Sequence, residues 1–193
     1  MARTSLKEKI LTEGLRVVHA HGFGGASVRD IVRAAGVPHG SFTNHFESKE
    51  AFGLEILDLY FANSRAVIAR TLRDDDLAPL RRLRDYVQAN ADHISQDGMR
   101  NGCLFGNFSA EVVDQSERIR LRLVDIFAEV TEAVAYCLKA AIEAGELSAG
   151  SDPDELAGLV VSSLQGAILL AKAERSAVPV ERFEKLLFST ILR

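Results

Sequence analysis

The sequence predicts an all-α fold, and three observations carry that expectation. Apolar residues recur at three- and four-residue spacings along most of the chain, while no stretch alternates apolar and polar residues long enough to make a strand. Serine, proline and glycine stand where helices should start and stop. The composition is 47% hydrophobic and 26% charged with only 4 prolines, and Ala, Leu, Glu and Arg, all good helix formers, dominate it.

Taken in order, Leu11, Leu15 and Val18, flanked by Ile10 and Val17, share one face of a first helix from Ser5 to His21, which GFGGAS (22–27) ends. Ser27 and Asp30 form an S-x-x-D capping box for a short second helix, with Val28, Ile31 and Val32 inward and Gly36 as its stop. Pro38 suits the first turn of a third helix. Ser48 caps a fourth, with Glu50 in its first turn, running through Phe52, Ile56, Leu59 and Tyr60 to about residue 72. After the solvated run Asp74-Asp75-Asp76, a fifth helix carries Leu80, Leu83, Val87 and Ile94. SQDGMRNG (95–102) interrupts the pattern, and a short helix follows over 103–113. A long one carries Ile119, Leu123, Ile126, Phe127, Val130, Val134 and Leu138 and ends at Gly145. Pro153 and Pro179 open the last two.

Charge is unevenly placed. Residues 1–49 hold seven Lys or Arg against four acids, a net of +3, in a chain whose total is -4, so the remainder holds -7. A mildly basic head, which also carries four of the five histidines, sits on an acidic body, as a polyanion-binding module would. Cys103 and Cys137 form neither a disulfide framework nor a metal-ligand spacing, so a reducing compartment and no metal or cofactor are expected. MARTSLKEKIL lacks the apolar centre of a signal peptide, and no apolar run reaches the roughly 18 residues that span a bilayer. A cytoplasmic protein without a membrane partner is expected, and Asn107-Phe108-Ser109 is then a chance match to an N-x-S glycosylation site.

The segment VPHGSFTNHFESKEAF (37–52) is rich in poor helix formers, so something other than propensity selects them. Two short helices joined at Gly36, the second with short polar side chains, read as a helix-turn-helix. Gly40 and Ser41 permit close approach to a phosphate or base edge. His39, Thr43, Asn44 and His45 offer hydrogen-bonding groups that a packing helix does not need, and Phe42 and Phe46 anchor the opposite face.

Residues 5–52, with a first helix ending in HGF followed by SVRDIVRAAGVPHGSFTNHFESKEAF, resemble the DNA-binding head of TetR-family transcriptional regulators. The resemblance implies a helix-turn-helix domain over 1–48 and a helical ligand-binding and dimerisation domain over 49–193. It implies backbone contacts from Ser27, Arg29, His45 and Lys49, and base-edge contacts from His39, Ser41, Thr43 and Asn44 on a double-stranded operator. Two positions depart from the family, where Lys is common in place of His39 and Tyr in place of Thr43.

A dimer of such heads reads a pseudo-palindrome with recognition helices about 34 Å apart. The dimer surface is expected on the last long helices, at Leu156, Val160, Ser163, Leu164, Ala167 and Ile168, with Leu159 beside them and Gly158 and Gly166 allowing close approach. RNGCLFGNFSAEV (100–112) puts Cys103 at a helix start, where free amides and the helix dipole favour a thiolate, with Arg100 nearby in sequence. The GCL segment is similar to that of family members that respond to electrophiles or small unsaturated acids. That similarity implies a small-molecule inducer sensed at Cys103, covalently or by contact, with Phe105, Asn107 and Phe108 lining a pocket or relaying the change. A small buried hydrophobe is the other reading of Cys103, and the one preferred for Cys137. Tyr86, Tyr136 and Gln165 are further pocket candidates by polarity.

The chain has no Walker loop, H-E-x-x-H, G-x-S-x-G elbow or strand-led G-x-G-x-x-G, which argues against an enzyme. A thiol-dependent helical enzyme and a DNA-binding protein without a ligand are the alternatives to an inducible regulator.

Overall fold

A computed structural model describes residues 5–192, and those residues form helices and no strand. In chain order they are α1 (Leu6–His21), α2 (Val28–Ala34), α3 (Gly40–His45), α4 (Lys49–Arg70), α5 (Pro79–Ser95), α6 (Leu104–Glu111), α7 (Glu117–Glu143), α8 (Pro153–Glu174) and α9 (Val178–Leu186), the last running into a π-helical turn, Leu187–Ile191. The chain divides into two compact units. One gathers the residues up to Asn63 with Leu104–Val124, and the other Ser64–Cys103 with the residues from Asp125 on.

In the first unit the caps are those that local chemistry dictates. Ser5 and Ser27 each close a reciprocal capping box, with Glu8 and Asp30. The Ser27 hydroxyl and amide hold the Asp30 carboxyl below the usual carboxylate range. Gly36, at φ +64°, ends α2 with the amide of Val37 bonded back to the Val32 carbonyl, a turn that a side chain would strain. Ser48 receives the amide of Ala51 at the head of α4.

The core under α3 is aromatic. Phe42, Phe46 and Phe52 lie with ring centroids 5.1–5.4 Å apart, in tilted and edge-on pairs. Helix α1 approaches this cluster at Gly14, where an added Cβ would stand 2.5 Å from the Phe52 ring and 2.9 Å from Ile31. No larger residue fits there without moving one of them. Tyr60 and Phe61 pack on Phe105 of α6, so α6 is part of this unit's core.

In the second unit the loop between α4 and α5 is fastened by a buried arginine. Arg82 donates to the carbonyls of Leu77 and Asp75 and to the Asp75 carboxylate. Asp75 also accepts from the Tyr136 hydroxyl, over whose ring Arg73 lies. Helix α8 turns Ala157, Val160, Val161, Leu164, Ala167, Ile168 and Ala171 into the core. By length and composition α8 is able to cross a membrane, although no uninterrupted apolar run of that length is present. Ser162, Ser163 and Gln165, with Gly158 and Gly166, break the run without making the helix polar.

Candidate nucleic-acid interface and sensing segment

Helix α3 is amphipathic over a single turn and a half. Phe42 and Phe46 are buried against Phe52, while His39, Gly40, Thr43, Asn44 and His45 are exposed. No Lys or Arg occurs between Val37 and Phe46, so this face offers amide, hydroxyl and imidazole groups and no permanent positive charge. Thr43, exposed, donates its hydroxyl to the Gly40 carbonyl. Ser41 differs from expectation. At 8% exposure it lies on the covered side of the helix, with Phe42. Its side chain is largely covered in the free protein.

Permanent positive charge lies instead on α2, where Arg29 is exposed in the first turn and Arg33 pairs with Asp30. Lys49, expected at a phosphate, has partners within its own unit. Its ammonium donates to the Phe23 carbonyl and lies 4.6 Å from the centroid of the Phe23 ring. Burial pulls its pKa down, with the Glu111 carboxylate acting in the opposite sense. The signal for this was long-range, since its partner carbonyl lies 26 residues earlier.

Sequence reasoning missed Glu111. From the C-terminal end of α6 its carboxylate accepts from the amides of Phe23 (2.8 Å) and Gly24 (3.3 Å), in the turn between α1 and α2. Gly22 at φ +78° leaves room for it, for an added Cβ would lie 2.8 Å from both carboxylate oxygens. Phe23 is further packed on Phe108, ring centroids 5.0 Å apart.

The segment before α6 belongs to the second unit and is tightly held. Asp97 accepts from the amides of Arg100 and Asn101, and Arg175 donates to the carbonyls of Met99 and Arg100. Gly98, Met99 and Gly102 all have positive φ. Cys103 stands immediately before α6 and is partly exposed, whereas Cys137 is buried. Burial pushes the Cys137 thiol up to about 11, so it stays protonated near neutrality.

The other sensing candidates separate. Tyr86 is buried near Cys103. Burial pushes its phenol up to about 12, a hydrogen bond with Asn90 opposes that shift, and Cys103 adds to it. Tyr136 is 37% exposed and donates its hydroxyl to Asp75, so it fastens a loop. Gln165 is half-buried on α8. Phe105 and Phe108 are buried in the first unit and Asn107 is half-buried there.

On α8 the expected dimer residues Val160, Leu164, Ala167 and Ile168 are core residues of their own chain, and Leu156 and Ser163 are half-buried. The apolar residues left outward are Leu159, Leu169 and Leu170, with Gly158 and Gly166 open beside them. The helix is apolar on all sides, so spacing alone did not tell its inner stripe from its outer one.

A capped α2, a glycine turn and an exposed polar α3 on an aromatic anchor define a helix-turn-helix DNA-binding protein. A sequence model described as "Bacterial regulatory proteins, tetR family" matches residues 10–56, and one described as "Tetracyclin repressor-like, C-terminal domain" matches residues 79–187. The chain belongs to the TetR family of transcriptional regulators, which are not enzymes. It is 39% identical over 192 residues to the HTH-type transcriptional repressor DhaR of Mycobacterium sp. strain GP1, covering 100% of this chain and 95% of that protein. With the HTH-type transcriptional repressor NemR of Escherichia coli K12 the identity is 30%, over 91% of this chain and 88% of that one. The crystal structure of regulatory protein TetR from Rhodobacter sphaeroides matches with TM-score 0.89 and 32% identity, covering 94% of this chain and 96% of that chain. That of reduced E. coli NemR matches with TM-score 0.83 and 30% identity, covering 94% and 95%.

Proposed function

We propose that the protein is a cytoplasmic, homodimeric repressor that binds a pseudo-palindromic operator and is released from it by a small-molecule inducer, an electrophile or small unsaturated acid sensed at Cys103. The observation that carries the DNA-binding part is the exposed polar face of α3 over a buried aromatic anchor. Residues 1–48 serve as the reading head and 49–193 as the dimerising and sensing body. His39, Gly40, Thr43 and Asn44 meet base edges; Ser27, Arg29 and His45 meet the backbone. Repression rather than activation is supported by relatives that are named repressors.

The outward Leu159, Leu169 and Leu170 of α8, with Val178 and Leu186 of α9, are the surface we assign to dimerisation. It suits a second copy because open Gly158 and Gly166 let two helices approach closely. For Cys103 the support is the GCL segment together with partial exposure, against a buried and protonated Cys137.

Fluorescence anisotropy on duplex DNA from upstream of the protein's own gene tests the head. Asn44→Ala is expected to lower affinity for operator by about tenfold with little change on scrambled DNA, the cost of one lost base-edge contact at ~1–3 kcal/mol. Arg29→Ala should weaken both DNAs together and reduce the slope of log affinity against log salt by about one contact. Two variants indistinguishable from the parent would mean that α3 is not the reading helix.

A further inference from the structure

The turn between α1 and α2 is gripped from two directions by residues distant in sequence. Glu111, ending α6, takes the amides of Phe23 and Gly24; Lys49, opening α4, takes the carbonyl of Phe23 and covers its ring. Phe23 is also enclosed by Phe108 and by Gly53, where an added Cβ would stand 2.8 Å from its ring. Both polar groups of one peptide segment are thus bound by charged side chains, and charge-assisted bonds of this kind are stronger than neutral ones. Three residues beyond that turn stands Ser27, followed by α2 with Arg29. The orientation of α2 against DNA therefore depends on a turn that α6 and α4 hold.

We propose that Glu111 and Lys49 are positioning residues for operator binding: together they lock the Phe23 turn and so set the angle of α2. This rests on the DNA-binding reading above. Lys49 contributes through the turn and not through a phosphate. The two roles for Lys49 give opposite results. As a latch, Lys49→Met lowers operator affinity about tenfold, leaves the salt slope unchanged, and adds little further loss in a Glu111→Ala background, because the two residues act on one turn. As a phosphate contact, it would weaken operator and scrambled DNA alike, reduce the slope by about one, and add fully to Glu111→Ala.

The experiment combines amide hydrogen exchange without DNA and anisotropy titrations at several salt concentrations, on the full chain and on Glu111→Ala, Glu111→Gln, Lys49→Met and the Glu111→Ala/Lys49→Met double variant, each first shown to be folded by circular dichroism. Faster exchange at Phe23 and Gly24 in Glu111→Ala, an about tenfold operator loss recovered in large part by Glu111→Gln, and a non-additive double variant are expected. Unchanged exchange at Phe23 and Gly24 overturns the latch whatever the DNA data show. Additive losses with a smaller salt slope overturn the positioning role of Lys49. A parent protein that binds no duplex while exchange responds as expected would overturn the DNA-binding reading, leaving the grip on the turn as a purely structural one.

Discussion

Phe52→Ala is expected to destabilise the first unit by about 3–5 kcal/mol, the usual cost of removing a buried phenyl ring. Phe52 has 0% exposure and stacks on both Phe42 and Phe46, which are the only large apolar anchors of α3. Its removal leaves a cavity under the reading helix that Gly14, having no side chain, cannot help to fill. A small domain has total stability of about 5–15 kcal/mol, so the loss is a large part of it. The chain has no tryptophan, so far-UV circular dichroism against urea is the suitable readout. Operator binding should fall further than that of any surface variant of α3. A midpoint unchanged from the parent would mean that the three rings do not form the anchor of α3.

Cys103→Ser is expected to abolish release from DNA by an electrophile such as acrolein while leaving basal operator affinity within a few-fold of the parent. In the parent the thiolate sulfur adds to the β-carbon of the unsaturated carbonyl, the double-bond electrons move to the α-carbon, and that carbon then takes a proton from water. Of the two cysteines, mass spectrometry should place the adduct on Cys103, since Cys137 is buried, donates its thiol to the Pro79 carbonyl and is held protonated. Coupling between an inducer site and a DNA site is typically 1–3 kcal/mol, or about 5- to 150-fold in operator affinity, which anisotropy resolves readily. Release that persists in Cys103→Ser would remove the thiol from the mechanism and direct attention to reversible ligands near Tyr86. An adduct on Cys103 without release would separate reactivity from signalling.

The sequence carried the elements governed by local chemistry. Capping boxes at Ser27 and Asp30, the stop at Gly36 and the opening proline of α8 each depend on residues within one turn, so they were legible without the fold. The same holds for Phe42 and Phe46, whose spacing marks a common face. What could not be read was set by contacts across the chain. Glu111 is one of many surface acids by composition, and its meaning comes only from the amides 87 and 88 residues away. Lys49 was assigned to a phosphate by resemblance, and its bond to the Phe23 carbonyl, 26 residues earlier, leaves no local mark in the sequence. On α8, apolar residues fill every side, so periodicity identified a buried helix but not which stripe its own chain covers. The burial of Ser41, at 8% exposure, was likewise not legible from its polar side chain.

The division of labour between α2 and α3 bears on how such a protein changes over time. The exposed face of α3 lacks Lys and Arg, while permanent charge resides on Arg29 of α2. In the reading proposed above, sequence-independent attraction, which governs the search along a genome, comes from Arg29 and the other cations of the head, and choice among sites from α3. On that reading, substitutions at His39, Thr43 or Asn44 would redirect the protein to a new operator and leave its scanning of ordinary DNA unchanged. Paralogues could diverge in target through three or four exposed positions on a single short helix while the anchor beneath stays fixed.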